Sequence, residues 1–307
     1  MAPQLAWIGL GNMGRGMCKN LVEKGGLDKP LTLYNRTKRR AIELSDQLGV
    51  EKTTVVVTPD DAVKSADIIF MCLGDDAAVT ATVNTILDHD VKGKVIVDCS
   101  TIHPDTSEAL EKHITERGAE FVAMPVFGAP AMADSGNLIC VMAGKKSAVE
   151  KVKPFTTGVM GRAAIDFSDQ PARNATLLKV IGNTFILNMV ETLSEGHVLA
   201  EKTGLGTENL HRWIELMFPG PYAAYSNRMI SGDYYQRDEP LFHVDLARKD
   251  AGHALKLAKD HGASLPAVAV GDAHLVKVKE HLGNKGDLPS IYGAVREESG
   301  LKFENKS

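Results

Sequence analysis

Short apolar and β-branched runs alternate through the first half of the chain with longer stretches whose apolar positions recur every three to four residues. That alternation predicts strands and helices wound about a parallel sheet. Strands are expected near Gln4–Ile8, Leu31–Tyr34, Thr54–Thr58, Asp67–Cys72, Lys94–Asp98, Ala119–Ala123, Leu138–Ala143 and Ala163–Phe167. Helices are expected between them near Asn12–Lys24, Lys38–Leu48, Asp76–Asp88, Asp105–Arg117 and Ser147–Lys153. After Pro171 the strand signal stops, and helical spacing runs without a proline from Ala172 to Lys202, predicting one long helix. Shorter helices follow near Thr207–Met217, Tyr222–Ile230, Val244–His261, Ala267–His281 and Ile291–Ser299, and the polar end from Glu297 is expected to fray. The class is therefore α/β: a doubly wound sheet over residues 1–167, then an all-α domain over 168–307, joined by a long interdomain helix. Such a helix is an apolar spine that either the chain's own later helices or a second copy must cover, and a homodimer is the expected solution.

Composition narrows the class without changing it. Hydrophobic residues are 44% and charged residues 24% of 307, as in an ordinary globular protein rather than a disordered or disulfide-stapled one. Lys and Arg number 35 against 39 Asp and Glu, so no basic field exists to draw in a phosphate backbone, and nucleic acid is not expected as a partner. Cys18, Cys72, Cys99 and Cys140 stand singly in apolar surroundings with no CxxC spacing, as buried thiols of a reducing compartment do. The apolar stretches fall far short of the ~18 residues of a membrane span. A strand-like run also begins almost directly after Met1, leaving no room for a signal peptide, so a cytoplasmic location is expected.

The chemistry begins at Gly9-Leu10-Gly11-Asn12-Met13-Gly14, which follows the first strand and opens the first helix. In that context a GxGxxG is a dinucleotide turn of the Rossmann type. Gly9 allows the sharp turn, Gly11 lets the backbone approach a pyrophosphate, Gly14 lets helix and sheet pack closely, and the helix N-terminus faces the anion. At the end of the second strand, where a carboxylate would hold the adenosine ribose, the chain reads Asn35-Arg36-Thr37. No acid is there to repel a 2′-phosphate, and Arg36, backed by Lys38, Arg39 and Arg40, supplies cations to bind one, so NADP(H) is expected as cofactor.

Lys179 and Asn183 lie four apart in an apolar stretch and share one face of the long helix. Such a pair is usually a snorkelling lysine beside a polar neighbour. Its place at the start of the helix leaving the nucleotide domain changes that reading, because there it can face the nicotinamide across the cleft between domains. A positioned ammonium could bond the developing alkoxide and give it a proton. None of the ten histidines forms an HxxxH or HExxH pattern, so no metal is expected. Asp245, Lys249, Asp250 and His253 read as polar lining on the cofactor side, and Trp213, Phe218, Tyr222 and Tyr225 as core aromatics or an outer wall to the pocket.

Taken in order, several motifs make the chain resemble the β-hydroxyacid dehydrogenases: the glycine turn followed by Asn20-Leu21, Asp98-Cys99-Ser100-Thr101 with Pro104, and Pro125-Val126-Phe127-Gly128-Ala129 leading to Gly136-Asn137-Leu138. Lys179 with Asn183, Ser194-Glu195-Gly196, and Lys249-Asp250 with Leu265-Pro266 complete the pattern. The resemblance implies that Lys179 is the catalytic lysine and Asn183 orients the substrate. It implies that Leu73, Thr101 and Lys249 contact the cofactor, and that Ser100, the loop Phe127-Gly128-Ala129 and Asp250 lie at the substrate. The reaction implied is NADPH-dependent reduction of a small aldehyde or keto acid, reversibly, as in the glyoxylate/succinic semialdehyde reductases. One position departs: the family's substrate loop usually reads Ser-Gly-Gly, and here Phe127 replaces the hydroxyl. Backbone N–H groups at Gly128 and Ala129 would remain for an anion, and a bulkier or less polar carbonyl becomes the better fit. Two other readings share the fold, an imine reductase and a non-catalytic NADP-binding scaffold. The first usually carries Asp or Tyr where Lys179 stands, and the second loses the lysine.

Overall fold

In the computed structural model, which describes residues 2–306, the alternating half of the chain forms a sheet covered on both faces. The elements run β1 (Leu5–Ile8), α1 (Asn12–Lys24), β2 (Leu31–Tyr34), α2 (Lys38–Leu48), β3 (Thr53–Val55), α3 (Pro59–Ser65), β4 (Ile68–Met71), α4 (Asp76–Leu87), β5 (Val95–Asp98) and α5 (Pro104–Glu116). They continue as β6 (Glu120–Ala123), β7 (Val126–Phe127), α6 (Pro130–Ser135), β8 (Leu138–Gly144), α7 (Lys146–Val152) and β9 (Gly161–Ser168). Strand order is β3-β2-β1-β4-β5-β6-β8-β7, with β9 also paired to β8, and the chain crosses over at β1 as in a doubly wound fold.

Two cores explain why the central strands read as unbroken apolar runs. Leu5, Trp7, Ile68, Phe70, Val95 and Val97 bury on one face, and Ala6, Ile8, Ile69, Met71 and Ile96 on the other. A strand buried on both sides has no polar face to alternate with. Trp7 and Phe70 are register partners on β1 and β4 and stack at 5.6 Å.

Three short elements of the sheet-forming half were not legible in the pattern. The expected strand over Thr54–Thr58 stops at Val55 because Thr58 caps α3, its Oγ1 accepting from Asp61 N at 3.2 Å ahead of Pro59. Pro125 lacks the N–H that would carry β6 onward, so pairing resumes as the two-residue β7 along the same edge of β8. The third is α6, a helix of six residues.

The chain divides into two compact units, one up to Lys179 and one from Val180 onward, with the boundary inside α8 (Arg173–Lys202). The second unit adds α9 (Thr207–Met217), α10 (Pro221–Ile230), α11 (Asp233–Gln236), α12 (Val244–Asp260), α13 (Pro266–Leu282) and α14 (Ile291–Glu298). Its interior holds polar groups in matched sets. Asp287, 1% exposed, accepts from Arg228 Nη2 at 2.7 Å and from the backbone N–H groups of Leu241, Phe242 and Leu288 at 2.7, 3.0 and 2.8 Å. His274 on α13 lies 2.9 Å from Glu191 and 3.1 Å from Glu298, and the Glu191 hydrogen bond leads in holding its imidazole above the ordinary histidine range. His197, buried beside Ser226, is pushed down to about 4 by desolvation, so its ring is neutral.

The polar end does not fray as far as Lys306. Phe303 is buried and stacks on His281 at 3.9 Å, while Asn305 donates from its side chain to Met229 O and Ile230 O at 3.1 and 3.0 Å. One aromatic ring in a polar segment supplies the apolar area that holds it down. Among the described residues, no helix is long and apolar enough to cross a membrane.

Candidate active site

At the carboxyl end of β1 the three glycines of the turn separate by what a side chain would meet. A Cβ on Gly14 would overlap the Gly9 carbonyl oxygen, and one on Gly9, whose φ is +97°, would overlap that of Cys72. Those two glycines are demanded by the protein's own backbone. Gly11 is different: its φ of −73° suits any residue, and a Cβ there would meet nothing within 4 Å. A glycine that the fold itself does not require, facing open space at a helix start, fits a ligand that approaches the backbone. The first turn of α1 carries no acidic residue and Gly11 provides no side-chain cap, so nothing there opposes a phosphate.

Asn35 couples this turn to the end of β2. Its Oδ1 accepts from Leu10 N at 2.8 Å and its Nδ2 donates to Thr37 O at 3.0 Å, so one side chain fixes both the glycine turn and the segment carrying Arg36. Arg36 is exposed, with the neighbouring Arg39 directed to Glu43 at 3.2 Å. Trp7 also serves the turn, a role the sequence does not signal: its Nε1 donates to Gly9 O at 2.8 Å.

Leu73 and Ser100 are brought together. Ser100, 1% exposed, accepts from Leu73 N at 2.8 Å while its own N–H donates to Asp98 Oδ1 at 3.0 Å. The hydroxyl therefore pins the chain just past β4, and Thr101 follows at the half-buried edge. Gly128 and Ala129 are exposed at the start of α6.

Lys179 ends the first unit. Its side chain is 9% exposed, and Nζ lies 4.6 Å from the ring centroid of Phe127, which β7 holds opposite Ile139 of β8. The ring thus lies against the lysine's charge.

In the second unit Asn183 Nδ2 donates to Asp250 Oδ2 at 2.7 Å, and Lys249 Nζ lies 3.1 Å from Asp250 Oδ1. Asn183 and Asp250 line a pocket with Thr184, Leu187, Phe242, Val268 and Leu288. Phe242 and Leu288 were not legible as site residues, because their place depends on Asp287, which grips both backbones from 45 residues away in the case of Phe242. Asp245 does not join Asp250: it takes Lys279 Nζ at 2.7 Å. The aromatics expected as core form a partly exposed ladder, with Trp213 53% exposed and 5.6 Å from Phe218, and Phe218 stacked on Tyr222 at 5.1 Å. Among the described residues, no group of three or more His, Cys, Asp or Glu side chains is arranged to hold a metal ion.

Comparison with known proteins covers both halves. Residues 4–165 match the family model described as the NAD binding domain of 6-phosphogluconate dehydrogenase, and residues 174–295 the model described as the NAD-binding of NADP-dependent 3-hydroxyisobutyrate dehydrogenase. An NADH-dependent oxidoreductase of Aspergillus ustus is 38% identical over 292 residues, 95% of this chain and 98% of the relative. Glyoxylate/succinic semialdehyde reductase 1 of Arabidopsis thaliana is 28% identical over 300 residues, again 95% and 98%. A crystal structure of 3-hydroxyisobutyrate dehydrogenase from Salmonella typhimurium superposes with a TM-score of 0.82 at 17% identity, covering 94% of this chain and 98% of that one, which places the fold.

Proposed function

The chain belongs to the β-hydroxyacid dehydrogenase family of NAD(P)-using oxidoreductases, and from that premise we propose that it reduces a small aldehyde or keto acid with NADPH, Lys179 delivering the proton. The observation that carries this reading is a lysine buried to 9% exposure with its ammonium held in place, one helical turn before an asparagine fixed by a buried carboxylate. The cofactor supplies the hydride that reaches the carbonyl carbon.

The protein's own groups do the rest. Backbone N–H groups from Asn12 to Gly14 would hold a pyrophosphate at the start of α1, with Leu10 and Met13 shaping the turn. Asn35 and Thr37 set the segment from which Arg36 pairs with the 2′-phosphate. Leu73, held by Ser100, and Thr101 would contact the cofactor from the first unit, and Lys249 is the contact proposed from the second. Lys179 Nζ would bond the carbonyl oxygen and give it a proton as charge develops there, and Asn183, steadied by Asp250, would orient the substrate.

A spectrophotometric panel tests the reading: NADPH and NADH against glyoxylate, succinic semialdehyde, larger keto acids, simple aldehydes and a cyclic imine. Oxidation of NADPH with carbonyls supports it. Turnover of the imine alone would replace it with an imine reductase, and tight nucleotide binding with no turnover would make it a binding module. The Aspergillus relative is named NADH-dependent, so cofactor choice needs its own measurement. Arg36→Ala is expected to weaken NADPH by about tenfold or more, the loss of a charge-assisted bond, and to leave NADH within twofold. Equal weakening in fluorescence titrations would reject NADPH preference.

We also propose a homodimer. On α8 Ile181, Phe185 and Leu199 are 52%, 71% and 64% exposed, an apolar stripe of the kind a second copy covers. Light scattering should return twice the chain mass of 33.1 kDa, and a monomer mass at micromolar concentration would refute it.

A further inference from the structure

Phe127 is the ring against which Lys179 rests, and its position is over-determined. Val126 and Phe127 pair with Cys140 and Ile139 of β8, and a Cβ on the next residue, Gly128, would lie 2.7 Å from Leu138 and 3.2 Å from Met132. The pairing fixes the Phe127 backbone, and its half-buried ring packs against the sheet's second core. Its face attracts the ammonium 4.6 Å away through the ring quadrupole, while neither donating a hydrogen bond nor accepting a proton. A substrate carboxylate reaching this side of Lys179 would meet ring carbon and have only the ammonium and the exposed Gly128 and Ala129 N–H groups as donors, and a buried carboxylate short of donors binds poorly.

The second unit, taken by itself, carries the same preference. Among the described residues lining its pocket the one ionisable side chain is Asp250, 7% exposed, and Lys249 lies 3.1 Å from it. Lys249 offsets the Asp250 carboxylate, so neither is left to pair with a substrate charge, and Leu187, Phe242, Val268 and Leu288 suit an apolar group.

We propose that Phe127 is a specificity-determining residue that selects uncharged carbonyl substrates, aldehydes or ketones with an apolar substituent, against keto acids and semialdehydes that carry a carboxylate. The proposal rests on Lys179 as proton donor. Two substrates of equal chain length separate the cases, butanal and succinic semialdehyde, which differ in a terminal methyl against a carboxylate. The wild-type protein should reduce butanal with kcat/KM at least about tenfold higher. Phe127→Ser, which supplies a hydroxyl and removes the ring, should narrow or invert that ratio, chiefly through a lower KM for succinic semialdehyde. Phe127→Tyr keeps the ring face and adds a phenolic donor, so it should retain kcat for butanal better than Phe127→Leu and narrow the ratio less than Phe127→Ser. Phe127→Leu keeps bulk without the quadrupole and should lower kcat for butanal by roughly two- to thirtyfold, the span of one ring-held ammonium.

Thermal melts identify any variant that fails to fold, in which case the wild-type ratio and the tyrosine and leucine variants still decide. A wild-type preference for succinic semialdehyde, or a ratio unmoved by a folded Phe127→Ser, would overturn the proposal while leaving Lys179 as the donor. Turnover of no carbonyl at all would overturn the Lys179 reading, and this one with it.

Discussion

Lys179→Ala is expected to lower carbonyl reduction by about 10²- to 10⁴-fold, the usual contribution of a positioned proton donor, with nucleotide affinity within about twofold of wild type. The ammonium is the group that moves a proton, and it sits in a largely buried position beside Phe127, where a water is a poor substitute for it. The glycine turn and Asn35 lie on separate elements and stay intact. Lys179→Arg should remain impaired, since a guanidinium keeps its proton and its planar fork does not overlay a single ammonium. Steady-state rates with NADPH and a fluorescence titration on the same preparation separate the two effects. Full carbonyl reduction by the alanine variant would remove lysine from the chemistry.

The largest stability effect is expected at Asp287 in the second unit. Its carboxylate accepts from Arg228 at 2.7 Å and from three backbone N–H groups, and it is 1% exposed. Asp287→Ala would leave a guanidinium and three amides buried without that partner, a cost of about 3–5 kcal/mol, for which a melting midpoint roughly 10 °C lower is expected. Asp287→Asn should fall between, because one carboxylate oxygen becomes an NH₂ group facing donors. Since the same carboxylate grips Phe242 and Leu288, surviving activity should show a raised KM before a lowered kcat. A midpoint within 2 °C of wild type in calorimetry would show that Arg228 and the amides find water instead.

Long elements were legible because their periodicity persists. The helices Asn12–Lys24, Lys38–Leu48 and Thr207–Met217 have the expected bounds, and α8 begins one residue later than its spacing implies. The glycine turn was legible for a stronger reason: Gly9 and Gly14 are each required by contact with a named carbonyl. Short elements were not, because α6, β7 and α11 span too few residues for a period to form, and tertiary pairing decides them. The same holds for the end of the chain, where Phe303 outweighs a polar composition.

By itself the sequence determined the class of fold, the dinucleotide turn, the absence of an acid at Asn35-Arg36-Thr37 and the pairing of Lys179 with Asn183 on one helix face. Each of these depends on residues close together along the chain. Only the tertiary structure decided that Phe127 lies against Lys179, that Ser100 pins Leu73, that Asp250 holds Asn183 and that Asp287 sets Phe242 in the pocket. These partners stand between 27 and 67 residues apart, and local periodicity carries no information about such pairings.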